Sequence, residues 1–231
     1  MEHFLYDKDV QCPLCRNKFK TKKVRTRFLK VVKRDDDFCV TYKDINPIYY
    51  HIFTCPECGY SSSESEFNNL SKIGKEILEK SIRGKWSKRD FGGIRGHREA
   101  EEVYKLAILN GQLMKKPKGY IGGLCLKLAW IYREQNDKRE FAFLKYALDL
   151  LEDAYQNERF PIASLDEVNL AYLIGELSRR LGDPKKSVVW YSKALDNPDI
   201  RRHRLLQIRA REQWSLAREQ YKSHKEMKQN A

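Results

Sequence analysis

The sequence predicts an α+β chain that is mostly α, with a small ribbon-like β head followed by antiparallel helix pairs. Three observations predict it. Two CxxC pairs, CPLC at Cys12 and Cys15 and CPECG at Cys55 and Cys58, sit close to the N-terminus. The stretch between them is rich in β-branched and aromatic residues. From Arg98 onward, apolar residues recur at helical spacing almost to the end of the chain.

The head is expected over residues 1–62. A CxxC turn aims two sulfurs at one point, and two such turns supply the four soft ligands of a tetrahedral zinc ion. Cys12, Cys15, Cys55 and Cys58 are therefore the predicted ligands, with Gly59 helping the second turn close. Four thiolates leave no open position for water, so the zinc is expected to be structural, and its binding to supply folding energy. The interval between the pairs exceeds the usual zinc-ribbon spacing, and antiparallel pairing of Lys23–Lys33 with Ile48–Thr54 is the strand arrangement expected to bridge it. Redox use of one CxxC would place it at a helix start in a βαβ unit, a context neither pair has. Cys125 reads as core; Cys39 reads first as a buried hydrophobe, with a spare ligand or a neighbour of the zinc as the alternatives; and His51, four residues before Cys55, reads as a half-buried strand residue rather than a substitute ligand.

Arg16–Arg34 contains ten Lys or Arg and no acid. Lys18, Lys20, Lys22, Lys23, Arg25 and Arg27 are the candidate basic surface, with Phe19 and Phe28 interleaved for stacking on nucleic acid. A strand with alternate lysines facing water has the same pattern. The chain as a whole carries 45 Lys plus Arg against 32 Asp plus Glu, a net charge of +13, which favours polyanions or acidic partners. MEHFLYDKDV is no secretory signal, and no run approaches the roughly 18 apolar residues of a membrane helix. No membrane association is expected, and a cytoplasmic location with reduced cysteines is.

Residues 63–97 are expected to connect head and body. Ser63 and Glu66 are spaced as a capping box ahead of Phe67, Leu70, Ile73 and Ile77. Gly84–His97 reads as a Gly-rich loop and a second basic patch. The helical body, 98–231, is expected as helices over Glu99–Met114, Lys118–Glu134, Lys138–Gln156, Asp166–Leu181 and Pro184–Leu195, with a capping helix near Arg201–Lys228.

LIGELSRRLGDPKKSVVWYSKALDNP resembles a tetratricopeptide repeat (TPR), a helix–turn–helix unit. Gly175 stands at the small position where the two helices approach, Gly182–Asp183 at the turn, Tyr191, Ala194 and Leu195 at packing positions, and Pro198 at the closing proline. Ser187 and Ala171 depart from the usual alanine and tryptophan. In such repeats the first helix lines a concave face. Asn169, Tyr172, Glu176 and Arg179 share one stripe of that helix, and Trp130 and Arg133 are the corresponding candidates on the preceding pair. The bland alternative is a solvated polar face.

The motifs CPLC, NPIYYHIFTCPECGY, RDFGG, LCLKLAWIYRE, YLIGELSRRLGD and AREQWSLAREQY, in this order, resemble the bacterial family known as domain of unknown function 2225. The resemblance implies a zinc-knuckle head on a TPR-like body. It implies no activity, and no catalytic residue carries over. Walker, GxSxG and HExxH motifs are all missing from the sequence. The expectation is a non-enzymatic zinc-binding adaptor that takes a protein or peptide partner through its TPR-like surface. Nucleic-acid binding by the basic head is the alternative.

Overall fold

Three short β-hairpins precede seven α-helices in the computed structural model, which describes residues 2–229. β1 (Leu5–Gln11) pairs with β2 (Lys18–Val24), β3 (Val31–Arg34) with β4 (Val40–Tyr42), and β5 (Ile52–Thr54) with β6 (Ser61–Ser63), all antiparallel. The helices are α1 (Lys72–Ser81), α2 (His97–Leu113), α3 (Lys118–Glu134), α4 (Arg139–Asn157), α5 (Glu167–Arg180), α6 (Pro184–Asp196) and α7 (Arg204–Gln229). The chain is α+β and mostly α. Among the described residues, no helix is long and apolar enough to cross a membrane.

The strand pairing corrects the expected one. Lys23–Lys33 does not pair with Ile48–Thr54. Each cysteine knuckle instead closes its own hairpin, with Cys12–Cys15 between β1 and β2 and Cys55–Cys58 between β5 and β6. The local hairpin closes a shorter loop than the long-range pairing would, and so costs less chain entropy. SSSESEF is likewise not a helix entry. Ser61–Ser63 forms β6, and the helix begins only at α1, where the Ser71 hydroxyl caps the Gly74 N–H at 3.0 Å.

Two compact units result. The first contains the chain up to Arg34, then Val40–Lys116 and Trp130–Asp137. The second contains Asp35–Cys39, Pro117–Ala129 and the chain from Lys138 onward.

The core of the first unit gathers Leu14, Phe53, Tyr60, Phe67 and Leu78 around the cysteines. Its other organiser is Arg95, which is only 4% exposed. The guanidinium donates to the carbonyls of Phe91 (2.8 Å), Tyr49 (2.9 Å) and Ile52 (2.7 Å) and to the Thr21 hydroxyl (3.2 Å). Burial pulls its pKa down to about 10, so it still carries its charge at neutral pH. The expected second basic patch at Gly84–His97 is thus corrected in part, since its arginine at 95 points inward to satisfy main-chain carbonyls.

In the second unit, α5 is the central helix, packed by α4, α6 and α7. Asp166 and Asp183 cap α5 and α6, and Pro184 takes the first turn of α6, where a missing N–H has no cost. At Gly175 a Cβ would meet the Tyr191 ring at 2.9 Å, so the close approach of α5 and α6 requires glycine. Ser187, where an alanine was the expected small residue, is fully buried on α6 with no partner for its hydroxyl.

Candidate metal centre

The two knuckles have matching backbones. Cys12 N–H donates to the Asn17 carbonyl and Arg16 N–H to the Cys12 carbonyl, at 2.9 and 3.0 Å. In the second, Cys55 N–H donates to Tyr60 and Gly59 N–H to Cys55, again at 2.9 and 3.0 Å. The residue after each CxxC is left-handed, Arg16 at φ 67° and Gly59 at φ 74°. That sharp reversal points both sulfurs of a turn to the same side.

All four sulfurs lie within 4.8 Å of one another. Cys12 Sγ is 3.6 Å from Cys58 Sγ, and Cys15 Sγ is 3.5 Å from Cys55 Sγ. A tetrahedral ion with metal–sulfur bonds of about 2.3 Å needs edges near 3.8 Å, so the cluster is the right size to hold a metal ion. Among the described residues no other ligand joins the set: His51 is exposed, and Cys39 and Cys125 are buried elsewhere. Cys12, Cys55 and Cys58 are essentially inaccessible, while Cys15 is half-buried.

Four sulfurs this close crowd one another's negative charge. The neighbouring Cys12 and then Cys58 thiols hold the Cys55 sulfur far below the ordinary thiol value. Cys58 is pushed up by its contacts with Cys12 and Cys55, and Cys12 is pushed up to about 12, chiefly by Cys55. A dication held there would oppose this crowding and favour the deprotonated sulfurs.

Trp86, from the loop before α2, lies across the second knuckle and donates from Nε1 to the Pro56 carbonyl at 2.9 Å. A Cβ on Gly59 would sit 2.6 Å from its ring. Gly59→Ala combines a left-handed backbone with overpacking, and should destabilise the first unit by about 3 kcal/mol. Its urea midpoint, followed by Trp fluorescence, checks this.

The basic face is more balanced than its sequence implied, because β1 faces β2 with acids. Asp7 is opposite Lys22 and Asp9 opposite Lys20. Lys22 pairs with Asp7 at 2.8 Å, and Glu64 takes both Lys8 (2.8 Å) and Lys23 (2.6 Å). Burial pushes the Glu64 carboxyl up, but Lys23 and Lys8 outweigh it and hold the carboxyl below its usual range. Arg25 lies over the Tyr6 ring and Arg27 over Phe28. Lys18 and Lys20 stay exposed on β2.

Asn169, Tyr172, Glu176 and Arg179 stand on one face of α5, but that face is not open, which corrects the expectation of a free partner groove. Tyr172 and Glu176 are fully buried, and Asn169 and Arg179 half-buried. Glu176 accepts from Arg179 and Arg180 at 2.8 Å and from the Tyr191 hydroxyl at 2.6 Å. The Tyr172 ring lies 5.4 Å from that of Phe38, at the turn between β3 and β4. Trp130 and Arg133 are half-buried on the part of α3 that belongs to the first unit. Sequence reasoning missed the Asp36–Phe38 contribution, though the DDDF acids within a basic stretch were a visible signal.

No solved structure matches the chain. It is 25% identical to an uncharacterized protein of Borreliella burgdorferi (strain ATCC 35210 / DSM 4680 / CIP 102532 / B31), in a match covering 54% of this chain and 51% of that protein. The chain thus spans about half the length of the curated relative it matches. Residues 5–217 match the family described as "Uncharacterized protein conserved in bacteria (DUF2225)", and the chain belongs to that family.

Proposed function

We propose that the protein is a non-enzymatic interaction module in which a structural zinc ion staples the head and the TPR-like helical unit takes a protein or peptide. The observation that supports the partner most directly is the Asp35–Cys39 turn, a short peptide segment gripped by side chains of α5 and α7. A surface that holds one peptide turn has the groups needed to hold another. Zinc is the metal proposed because four thiolates in a closed tetrahedron suit it and leave no coordination site for catalysis. A reducing, cytoplasmic setting is part of the reading, since it keeps the thiols available.

Nucleic-acid binding by the head has weaker support, because acids of β1 and Glu64 face much of the basic strand. Affinity capture on the purified, metal-loaded chain separates the two, run with and without nuclease. Protein partners that survive nuclease treatment are the expected result. Partners that vanish on nuclease treatment, with co-purifying RNA or DNA in the untreated half, would contradict it.

A further inference from the structure

The turn at Asp35–Cys39 is held like a ligand. Within the turn, Asp35 N–H donates to the Cys39 carbonyl at 2.8 Å, Phe38 N–H to the Asp35 carbonyl at 3.1 Å, and Cys39 N–H to the Asp37 carboxylate at 3.4 Å. Every side chain from 36 to 38 engages the helices. Asp36 accepts from Gln213 Nε2 at 3.1 Å and faces Arg209 Nε at 3.8 Å, both on α7. Asp37, fully buried, faces Arg180 Nη2 at 3.7 Å. Phe38 lies against Tyr172. Two carboxylates meet two guanidiniums, and an aromatic ring meets an aromatic ring, which is a readable chemical pattern.

The resident segment does not satisfy its site. The Tyr172 hydroxyl is buried with no hydrogen-bond partner, and so is Oε1 of Gln213. Tyr172 is fully buried and Gln213 is 8% exposed. Each orphaned group has given up its water without a replacement hydrogen bond. Phe38 also adopts φ 69°, a left-handed backbone that a bulky residue holds only when its surroundings impose it. A segment of the same character, with a relaxed backbone and one donor and one acceptor placed for Gln213 and Tyr172, would fit better than the one present.

We propose that the α5–α7 face bearing Tyr172, Arg180, Arg209 and Gln213 is a receptor for an acidic–aromatic turn of a partner protein, and that Asp36–Phe38 occupies it as a displaceable internal stand-in. The inference rests on the interaction-module reading and names its partner's chemistry: two adjacent carboxylates followed by an aromatic side chain. It also assigns a regulatory role, since the partner's apparent affinity is reduced by the fraction of chains in which the stand-in is seated.

The test uses the metal-loaded full chain and a fluorescent peptide of residues 33–40 with Cys39→Ser, followed by anisotropy. An Asp36→Asn, Phe38→Ala variant, with its own turn disabled, should bind the peptide at least about tenfold more tightly than the wild type. A peptide carrying the same two changes should bind neither. Equal affinity of variant and wild type would overturn the proposal. If the variant loses helical circular dichroism, the wild type alone decides the matter by amide exchange. Excess peptide should speed exchange at Asp35, Phe38 and Cys39, and unchanged exchange would overturn the proposal. Capture of a nuclease-resistant partner that leaves those amides protected would sink this inference while the interaction-module reading stands.

Discussion

Cys55→Ser should abolish stoichiometric metal binding and unfold the head while most of the helical circular dichroism remains. Its sulfur is one corner of a cluster whose members all lie within 4.8 Å. A hydroxyl there neither ionises at neutral pH nor matches the softness of the other donors. Structural zinc binding is worth about 10–16 kcal/mol in small domains, so losing one ligand removes more than a marginal fold can spare. The second unit keeps its helices because it has its own core, with Leu144, Leu151, Leu170, Ile174 and Tyr191 fully buried. Cys12→Ser should behave identically, and Cys39→Ser should retain metal because Cys39 lies outside the cluster. Metal content per chain, measured beside far-UV circular dichroism, checks all three. Full metal in both Cys12→Ser and Cys55→Ser would count against four-cysteine ligation.

Arg95→Met should destabilise the first unit by about 4 kcal/mol with the metal ligands untouched. Methionine fills much of the volume but donates nothing, so three carbonyls and the Thr21 hydroxyl lose their shared donor. Buried acceptors left unpaired cost about 1–3 kcal/mol each, with some relief where water reaches them. Arg95→Lys should recover only part of the loss, since one ammonium cannot reproduce a planar fork serving β2, β5 and the Pro47–Tyr50 turn. The measurement is the urea midpoint of the metal-loaded protein. A loss below about 1 kcal/mol would mean that the carbonyls find other donors.

The two halves of the chain were unequally legible. α3 to α6 follow the expected bounds closely because each has an apolar stripe of helical period and a clear start, Asp166 for α5 and Asp183–Pro184 for α6. The ligand cysteines were legible because CxxC spacing is a local backbone property. The hairpins were not. LYDKDVQ has a strand's alternation but reads as an acidic, charged start, and its role emerges only in register against KFKTKKV. SSS lacks β-branched residues, so its place in β6 comes from knuckle closure rather than propensity. Arg95 looks like a surface residue in the sequence because an arginine among glycines looks solvated, and nothing local reveals that main-chain carbonyls from Tyr49 and Ile52 converge on it. The α5 stripe of Asn169, Tyr172, Glu176 and Arg179 was visible from its spacing. Its covering by Phe38 depends on two segments distant in sequence, which periodicity cannot pair.

The most direct measurement on the central claim is metal analysis with X-ray absorption at the zinc edge, on full-length protein purified without chelator. One zinc per chain with four sulfur donors at about 2.3 Å is the expected result. A chain that folds without stoichiometric metal, or a first shell containing nitrogen or oxygen, would contradict it.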